Sequence, residues 1–285
     1  MFIKKVFLIS VFILFSSQLV AKNNSFEIYD GTQYKNRPNM EQYGIKDITI
    51  LYGSRFWDKG KSREDIPSNK RLKKLARKYD GKTEMIVLDI EHWKVQGHPL
   101  RPWIIDKSIK KYTETIKIFK SHTMQSKVGY FGGPFPISNY RASIADKNSS
   151  LYKTWIQDND KLSKLANHVD AVFPSVYTYN ENIAEWEKSF LRKVENIKRF
   201  HNGKVYVFLW PQYFDNAPAP EHLRLKFMPA NFWKHQLEFA NKHVDGVVIW
   251  GGWDFKKWQP MVWDDNSDWW IETKKVVTKL QENTQ

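Results

Sequence analysis

Residues 85–93 read Met-Ile-Val-Leu-Asp-Ile-Glu-His-Trp, an apolar run that ends in two carboxylates. A short, nearly continuous apolar run is typical of a parallel strand that is covered on both faces. Alternate side chains of a strand face the same side, so Asp89 and Glu91 are predicted to point together, followed by Trp93. His92 is predicted to face the opposite side. The stretch therefore predicts a buried strand that carries two acids to its carboxyl end.

Six further apolar runs of this kind occur along the chain. They are 26–29, 48–52, 127–131, 171–177, 205–210 and 246–250.

Between the runs, apolar residues recur at a spacing of three to four, as at Ile109, Tyr112 and Ile116 within a predicted helix over 106–120. Seven strands alternating with helices predict an α/β fold, a single TIM-like βα barrel with seven strands over residues 22–285. An open doubly wound sheet is the alternative. The barrel is preferred because no glycine-rich phosphate loop follows the first strand.

Residues 1–21 have the pattern of a secretory signal peptide. Lys4 and Lys5 precede an apolar run over 6–15, and small or polar residues follow it. Such a run is too short to cross a bilayer, so we expect a secreted or periplasmic protein without a membrane span after cleavage. An uncleaved anchor is the alternative, because Leu19 stands where a small residue is preferred.

The amino-acid composition excludes several kinds of metal and cofactor site. The 285 residues contain no cysteine, which excludes disulfides, thiolate zinc sites and iron–sulfur clusters. The eight histidines show no metal-binding spacing, so no metal and no cofactor are predicted. A net charge of +14 suits a polyanionic partner. No nucleic-acid-binding motif occurs, and we therefore expect no nucleic-acid partner.

Some of the basic residues follow strands, where they could line a groove for an anionic polymer. They are Arg55, Lys94, Arg101, Arg141, Lys256 and Lys257.

The acid pair suggests glycosidic chemistry. Two close carboxylates cannot both ionise easily, so the pKa of one of them rises. A carboxylic acid that is protonated near neutral pH can donate a proton to a leaving glycosidic oxygen. A structural pair satisfied by neighbouring donors is the alternative.

Aromatic residues at other strand ends fit a sugar ligand. Tyr177 and Trp250 are placed where a sugar ring could stack. The tryptophans within helical patterns, Trp186, Trp233 and Trp270, are predicted to belong to the core instead.

Five stretches, in the same order along the chain, resemble the hyaluronidases of glycoside hydrolase family 56. They are ITILY at 48–52 followed by Arg55, DIEHW at 89–93, GYF at 129–131 followed by Pro134, FPSVY at 173–177, and GVVIWG at 246–251.

The resemblance implies a retaining mechanism in which the 2-acetamido group of the substrate is the nucleophile. By this analogy Glu91 is the general acid and then the base, and Asp89 orients the acetamido group. Tyr177 would hydrogen-bond the acetamido oxygen, and Tyr130 and Trp250 would shape the pocket. The full set of expected substrate-binding residues is Tyr130, Tyr177, Trp250, Trp93, Arg55, Tyr52 and Lys94.

The chain also departs from the family pattern. It lacks the disulfides of the animal members, Lys94 and Val95 replace an Arg-Pro pair, and Gly252 and Trp253 replace small hydroxyl residues. The last two departures affect the groove and therefore the choice of polymer.

We expect a secreted endo-glycosidase that hydrolyses an N-acetylhexosamine-containing, anionic polysaccharide such as hyaluronan or chondroitin. One alternative is hydrolysis of another acidic polysaccharide without acetamido participation, with Asp215 or Asp254 as nucleophile. A barrel that binds glycans without catalysis is the other.

Overall fold

The computed structural model describes residues 26–95, 102–132 and 137–282. The predicted signal peptide, Arg101 and Pro134 lie outside the described residues.

Ten strands are assigned in this part of the chain. They are β1 (Glu27–Thr32), β2 (Lys46–Asp47), β3 (Thr49–Tyr52), β4 (Met85–Asp89), β5 (Lys127–Tyr130), β6 (Ala171–Val172), β7 (Lys204–Leu209), β8 (Gly246–Gly251), β9 (Trp253–Asp254) and β10 (Gln259–Pro260).

The α-helices lie between these strands and after the last of them. They are α1 (Asn69–Tyr79), α2 (Pro102–Lys120), α3 (Tyr140–Ile144), α4 (Ser150–Ala166), α5 (Ile183–Lys198), α6 (Ala230–His243) and α7 (Asp268–Glu282).

Two parallel sheets make up the barrel. One has the order β2-β1-β8-β7-β6 and the other the order β3-β4-β5. The segment 46–52 joins them at one side, because its first two residues pair with β1 and its last four pair with β4. At the other side a bridge links Phe131 to Phe173, and the Gly132 amide donates to the Phe173 carbonyl at 2.8 Å. Strand neighbours therefore follow one another around a TIM-like barrel, as predicted.

Alternation along each strand separates two apolar clusters. In β4, Met85 and Val87 belong to a cluster inside the barrel, together with Tyr206 and Val248. Residues of the opposite parity, such as Leu88, pack in the larger cluster beneath the helices. The lumen below the strand ends is thus filled by side chains, as in other βα barrels.

Each predicted strand and helix occurs in the structure, with small shifts at the ends. The predicted strand 171–177 is the exception, because the regular strand ends at Val172. Pro174 has no amide hydrogen to donate, so the ladder breaks there and only isolated bridges continue along the segment. The short helix α3 and the hairpin of β9 and β10 were not predicted. The helical tryptophans Trp186 and Trp233 lie in the core, as expected.

No described helix has both the length and the apolar character needed to cross a bilayer.

The turn after β8 requires glycine. Gly252 has φ +80°, and a Cβ atom there would lie 2.7 Å from the Tyr34 backbone nitrogen. Its carbonyl also accepts a hydrogen bond from the Met261 amide at 2.8 Å, which fixes the base of the β9–β10 hairpin.

We predict that Gly252→Ala lowers the free energy of unfolding by about 2–4 kcal/mol, because left-handed strain and a backbone clash add together. Gly60→Ala is the matched control. Gly60 has the same φ of +80°, but no atom lies within 4 Å of the position that its methyl group would take, so only about 1 kcal/mol is expected. Urea denaturation of both variants measures the difference, and equal losses would contradict the packing argument.

Candidate active site

The two acids meet in a cavity at the carboxyl end of the barrel. Asp89 is the last residue of β4, and its Cα is in register with Tyr52 of β3. Asp89 is an even number of residues from Met85 and Val87, so its side chain faces the lumen as theirs do. Glu91, two residues further on, faces the same side. Asp89 and Glu91 both line the cavity, as the sequence predicted.

The environment of the pair favours protonation. Burial raises the pKa of Asp89 to about 7, and the nearby charge of Glu91 adds to the rise. Glu91 is exposed to the cavity, yet desolvation by the cavity walls raises its pKa as well. Among the described residues, no Lys or Arg forms a salt bridge with either acid. The pair therefore retains a proton close to neutral pH.

A hydrogen-bonded support fixes the loop that carries Glu91. The Tyr112 hydroxyl of α2 lies 3.0 Å from the Ile90 carbonyl and 3.1 Å from the Trp93 carbonyl, two acceptors for its one proton. The Trp93 indole donates to the Arg63 carbonyl at 2.9 Å. These contacts hold the backbone on both sides of Glu91, which sets the direction of its side chain.

His92 faces away from the cavity, as its parity predicts. Its Nε2 atom lies 2.9 Å from an Arg63 guanidinium nitrogen, and its ring packs against Trp57. It is not among the described residues that line the cavity.

Aromatic side chains line the same cavity as the acids. The Tyr177 and Trp250 ring centroids are 6.0 Å apart, and Trp210 lies 5.6 Å from Tyr177. The Trp250 indole donates to the Tyr52 hydroxyl at 3.1 Å. Burial, with a contribution from the charge of Asp89, raises the pKa of Tyr177 well above its ordinary value. Its hydroxyl therefore stays protonated and can serve as a hydrogen-bond donor.

Side chains from α5 position the irregular segment that carries Tyr177. The fully buried Lys193 donates to the Ser175 carbonyl at 2.9 Å, and the Trp186 indole donates to the Val176 carbonyl at 2.8 Å. These bonds satisfy carbonyls that a regular strand ladder would otherwise satisfy.

The cavity is large and partly basic. Its volume is about 1220 Å³, more than a single small ligand usually needs. Lys94 and Arg141 line it, together with Trp93.

Two predicted binding residues lie elsewhere. Tyr130 packs beneath the helices, where its hydroxyl donates to the Tyr112 carbonyl at 2.9 Å. Arg55 lies near Tyr79 on the outer side, its guanidinium 3.4 Å from the Tyr79 hydroxyl. Neither is among the described residues that line the cavity, in contrast to the predicted placement of both in the pocket.

The glycine before Tyr130 explains where the structure places this side chain. A Cβ on Gly129 would lie 2.7 Å from the Phe173 ring, so this lumen-facing position has to be glycine. Alternation then turns Tyr130 outward and Phe131 inward, where Phe131 lines the cavity.

Of the alternative nucleophiles, Asp215 lines the cavity and Asp254 does not. The Asp254 carboxylate instead accepts hydrogen bonds from the Lys256 and Lys257 amides at 2.9 and 3.0 Å. Within residues 26–95, 102–132 and 137–282, no three His, Asp or Glu side chains cluster as metal ligands.

Several cavity residues had no predicted role. Among them, Phe131 follows from strand parity. Others lie beyond the strand ends, in segments without a periodic pattern, such as Tyr179, Phe214 and Trp258.

We predict that Asp89→Asn stabilises the protein at about pH 8 by about 1–3 kcal/mol and has little effect at about pH 4. The folded pKa of about 7 is above the unfolded value of about 3.9, so the folded state holds the extra proton between them. Wild-type stability therefore falls as the pH rises through this interval. Urea denaturation at both pH values measures the effect.

Asp47→Asn makes the same substitution at an exposed residue of β2 and is the control for the change of side chain itself. An identical change at the two pH values for Asp89→Asn would refute the pKa assignment.

Comparison with known proteins places the chain near one group. A hyaluronidase from Polybia paulista is 28% identical over 158 residues, which cover 51% of this chain and 51% of that protein. A hyaluronidase from Polistes annularis is 26% identical over 161 residues, covering 51% and 40%. The chain thus spans about half the length of the curated relatives it matches. No protein-family model matches the chain.

Comparison with solved structures identifies a similar fold. Bee venom hyaluronidase superposes with a TM-score of 0.56 at 19% identity, over 90% of this chain and 96% of that one. The same enzyme in complex with a hyaluronic acid tetramer gives a TM-score of 0.55. The chain is therefore hyaluronidase-like in sequence and has the barrel fold of bee venom hyaluronidase.

Proposed function

We propose that the protein is a glycoside hydrolase that cleaves an N-acetylhexosamine-containing, anionic polysaccharide. The observation that carries the proposal is the pair Asp89 and Glu91 at the end of β4. Both acids have raised pKa values, and both face an aromatic cavity. A barrel that only bound glycans would not need two desolvated carboxylates at this point. Similarity to hyaluronidases supports the same assignment.

The proposed reaction is retaining and substrate-assisted. The acetamido oxygen of the substrate attacks the anomeric carbon while Glu91 gives its proton to the departing glycosidic oxygen. The carbon–oxygen bond of the linkage breaks and an oxazolinium ion forms. Glu91, now a carboxylate, takes a proton from water, whose oxygen attacks the same carbon and reopens the ring. The net change is addition of one water molecule, with Glu91 protonated again.

The other cavity groups have roles that match this sequence of steps. Asp89 would accept the acetamido N–H and stabilise the positive charge of the intermediate. The protonated hydroxyl of Tyr177 would donate to the acetamido oxygen, and Trp250 would stack on the sugar ring.

The substrate class rests on charge and on similarity. Lys94 and Arg141 line the cavity, so a polymer that carries carboxylates or sulfates would meet favourable charges there. The bee enzyme of the same fold is known in complex with a hyaluronic acid tetramer. Hyaluronan and chondroitin are therefore the first substrates to test. Secretion, or export to a periplasm, is the location proposed from residues 1–21.

The residues of the cavity also allow a second hydrolytic mechanism. Asp215 lines it and could act as a protein nucleophile on an acidic polysaccharide that lacks an acetamido group.

Product analysis separates these possibilities. The protein is incubated with hyaluronan, chondroitin, chitin oligosaccharides and an acidic polymer without acetamido groups. The masses of the products are then determined by mass spectrometry. Hydrolysis adds one water to each cleavage, whereas a lyase leaves an unsaturated uronate. Cleavage of the acetamido-free polymer would favour Asp215, and unsaturated products would refute hydrolysis.

We predict that Glu91→Gln lowers kcat for the cleaved polymer by at least about 1000-fold, because the amide cannot protonate the leaving oxygen. Glycan affinity and thermal stability should change little. Glu221→Gln, at a side chain that is 89% exposed, is the control and should retain wild-type turnover. Turnover by Glu91→Gln close to that of the wild type would overturn the assignment of the general acid.

A further inference from the structure

We propose that the aromatic hairpin, residues 253–260, is an outer subsite that binds sugar units of an acidic polysaccharide beyond the catalytic cavity. The inference deepens the proposed function and rests on it for the class of ligand. The hairpin consists of β9, β10 and the turn between them, and it stands where the chain departs from the hyaluronidase pattern after Trp250-Gly251.

The hairpin is held in one conformation. Trp253 pairs with Pro260, and Asp254 pairs with Gln259. The Asp254 carboxylate accepts from the two amides of the turn that follows it. Phe255 reaches back to Trp210 with a centroid separation of 5.8 Å. The hairpin is therefore preorganised, so a ligand would not have to order it on binding.

Trp258 presents a large apolar surface to solvent. It is 73% exposed, although it belongs to the residues that line the cavity. Its ring stands at 88° to that of Trp253, with the centroids 5.8 Å apart, so an edge contact with Trp253 supports it. Its φ of +53° is a backbone conformation that costs energy for a bulky residue.

Exposure and strain together indicate a function for Trp258. A tryptophan that contributed only packing energy would be buried, as Trp233 and Trp270 are in this protein. An exposed indole beside a carbohydrate cavity offers a flat apolar surface to the carbon–hydrogen face of a sugar ring. Continuity with the cavity makes the occupant the part of the polymer chain that extends outside it.

The turn adds positive charge next to this surface. Lys256 and Lys257 are exposed and outnumber the one carboxylate of the hairpin, Asp254, whose pKa is lowered by hydrogen bonds from their amides and also by their charges. An acidic sugar stacked on Trp258 would bring its carboxylate near these two ammonium groups. The subsite therefore favours anionic polymers over neutral ones.

Binding is measured by titration calorimetry in the Glu91→Gln background, so that no substrate is consumed. The probes are a hyaluronan decasaccharide and a hyaluronan tetrasaccharide. Trp258→Ala is expected to weaken binding of the decasaccharide about tenfold and that of the tetrasaccharide by less than about threefold. Trp258→Tyr keeps an aromatic face and should restore most of the affinity.

Trp103→Ala is the matched control, because Trp103 is 58% exposed and is not among the described residues that line the cavity. It should bind both probes like the parent. Replacing Lys256 and Lys257 together by glutamine should reduce the salt dependence of decasaccharide binding and leave binding of a neutral chitin oligosaccharide unchanged.

The outcomes for the subsite and for the enzyme can be told apart. Three results would overturn the subsite. They are unchanged decasaccharide affinity in Trp258→Ala, equal losses of affinity for the two probes, and no binding of the decasaccharide by the Glu91→Gln parent. Absence of products from the wild type, combined with Trp258-dependent binding, would refute the hydrolase and support the subsite.

Discussion

The constraint on which this structure depends is the alternation of side chains around a ring of parallel strands. Every second residue must enter the lumen, and the others must pack under the helices. Met85, Val87, Phe173 and Tyr206 fill the lumen from within, so no room for a ligand remains at that level. The described cavity opens above them, where the same parity continues into the acids. The position of the cavity thus follows from the packing beneath it.

Burial without a counter-ion gives the acid pair its chemistry. A neighbouring Lys or Arg would have lowered both pKa values and kept both carboxylates charged. Instead, the described surroundings of Asp89 and Glu91 are largely aromatic, with the protonated Tyr177 hydroxyl nearby. The basic side chains of the cavity, Lys94 and Arg141, form no salt bridge with the acids among the described residues. Positive charge can therefore attract a polyanion while the acids retain a proton.

Sequence patterns predicted the parts of this structure that local periodicity controls. The orientation of Asp89 and Glu91 follows from a period of two, and the structure agrees. The same rule turns Tyr130 outward once Gly129 is known to face the lumen. That orientation depends on the close approach of Gly129 to the Phe173 ring, a contact between strands distant in sequence. The interruption at Pro174 was open to prediction, whereas the aromatic hairpin lies in a segment too short for any periodic signal.

The division of the barrel into two sheets has a consequence for its motions. Asp89 ends β4 of the three-stranded sheet, and Glu91 follows it by two residues. Trp250 lies in β8 of the five-stranded sheet, and Tyr177 and Trp210 follow its strands β6 and β7. At one side the five-stranded sheet holds the segment 46–52 through two residue pairs between β1 and β2, and at the other side isolated contacts near Phe131 link the two sheets. Opening fluctuations concentrate where the fewest hydrogen bonds must break. Local opening is therefore expected first at these two sides of the barrel, and it would change the distance between Glu91 and the aromatic residues across the cavity lining.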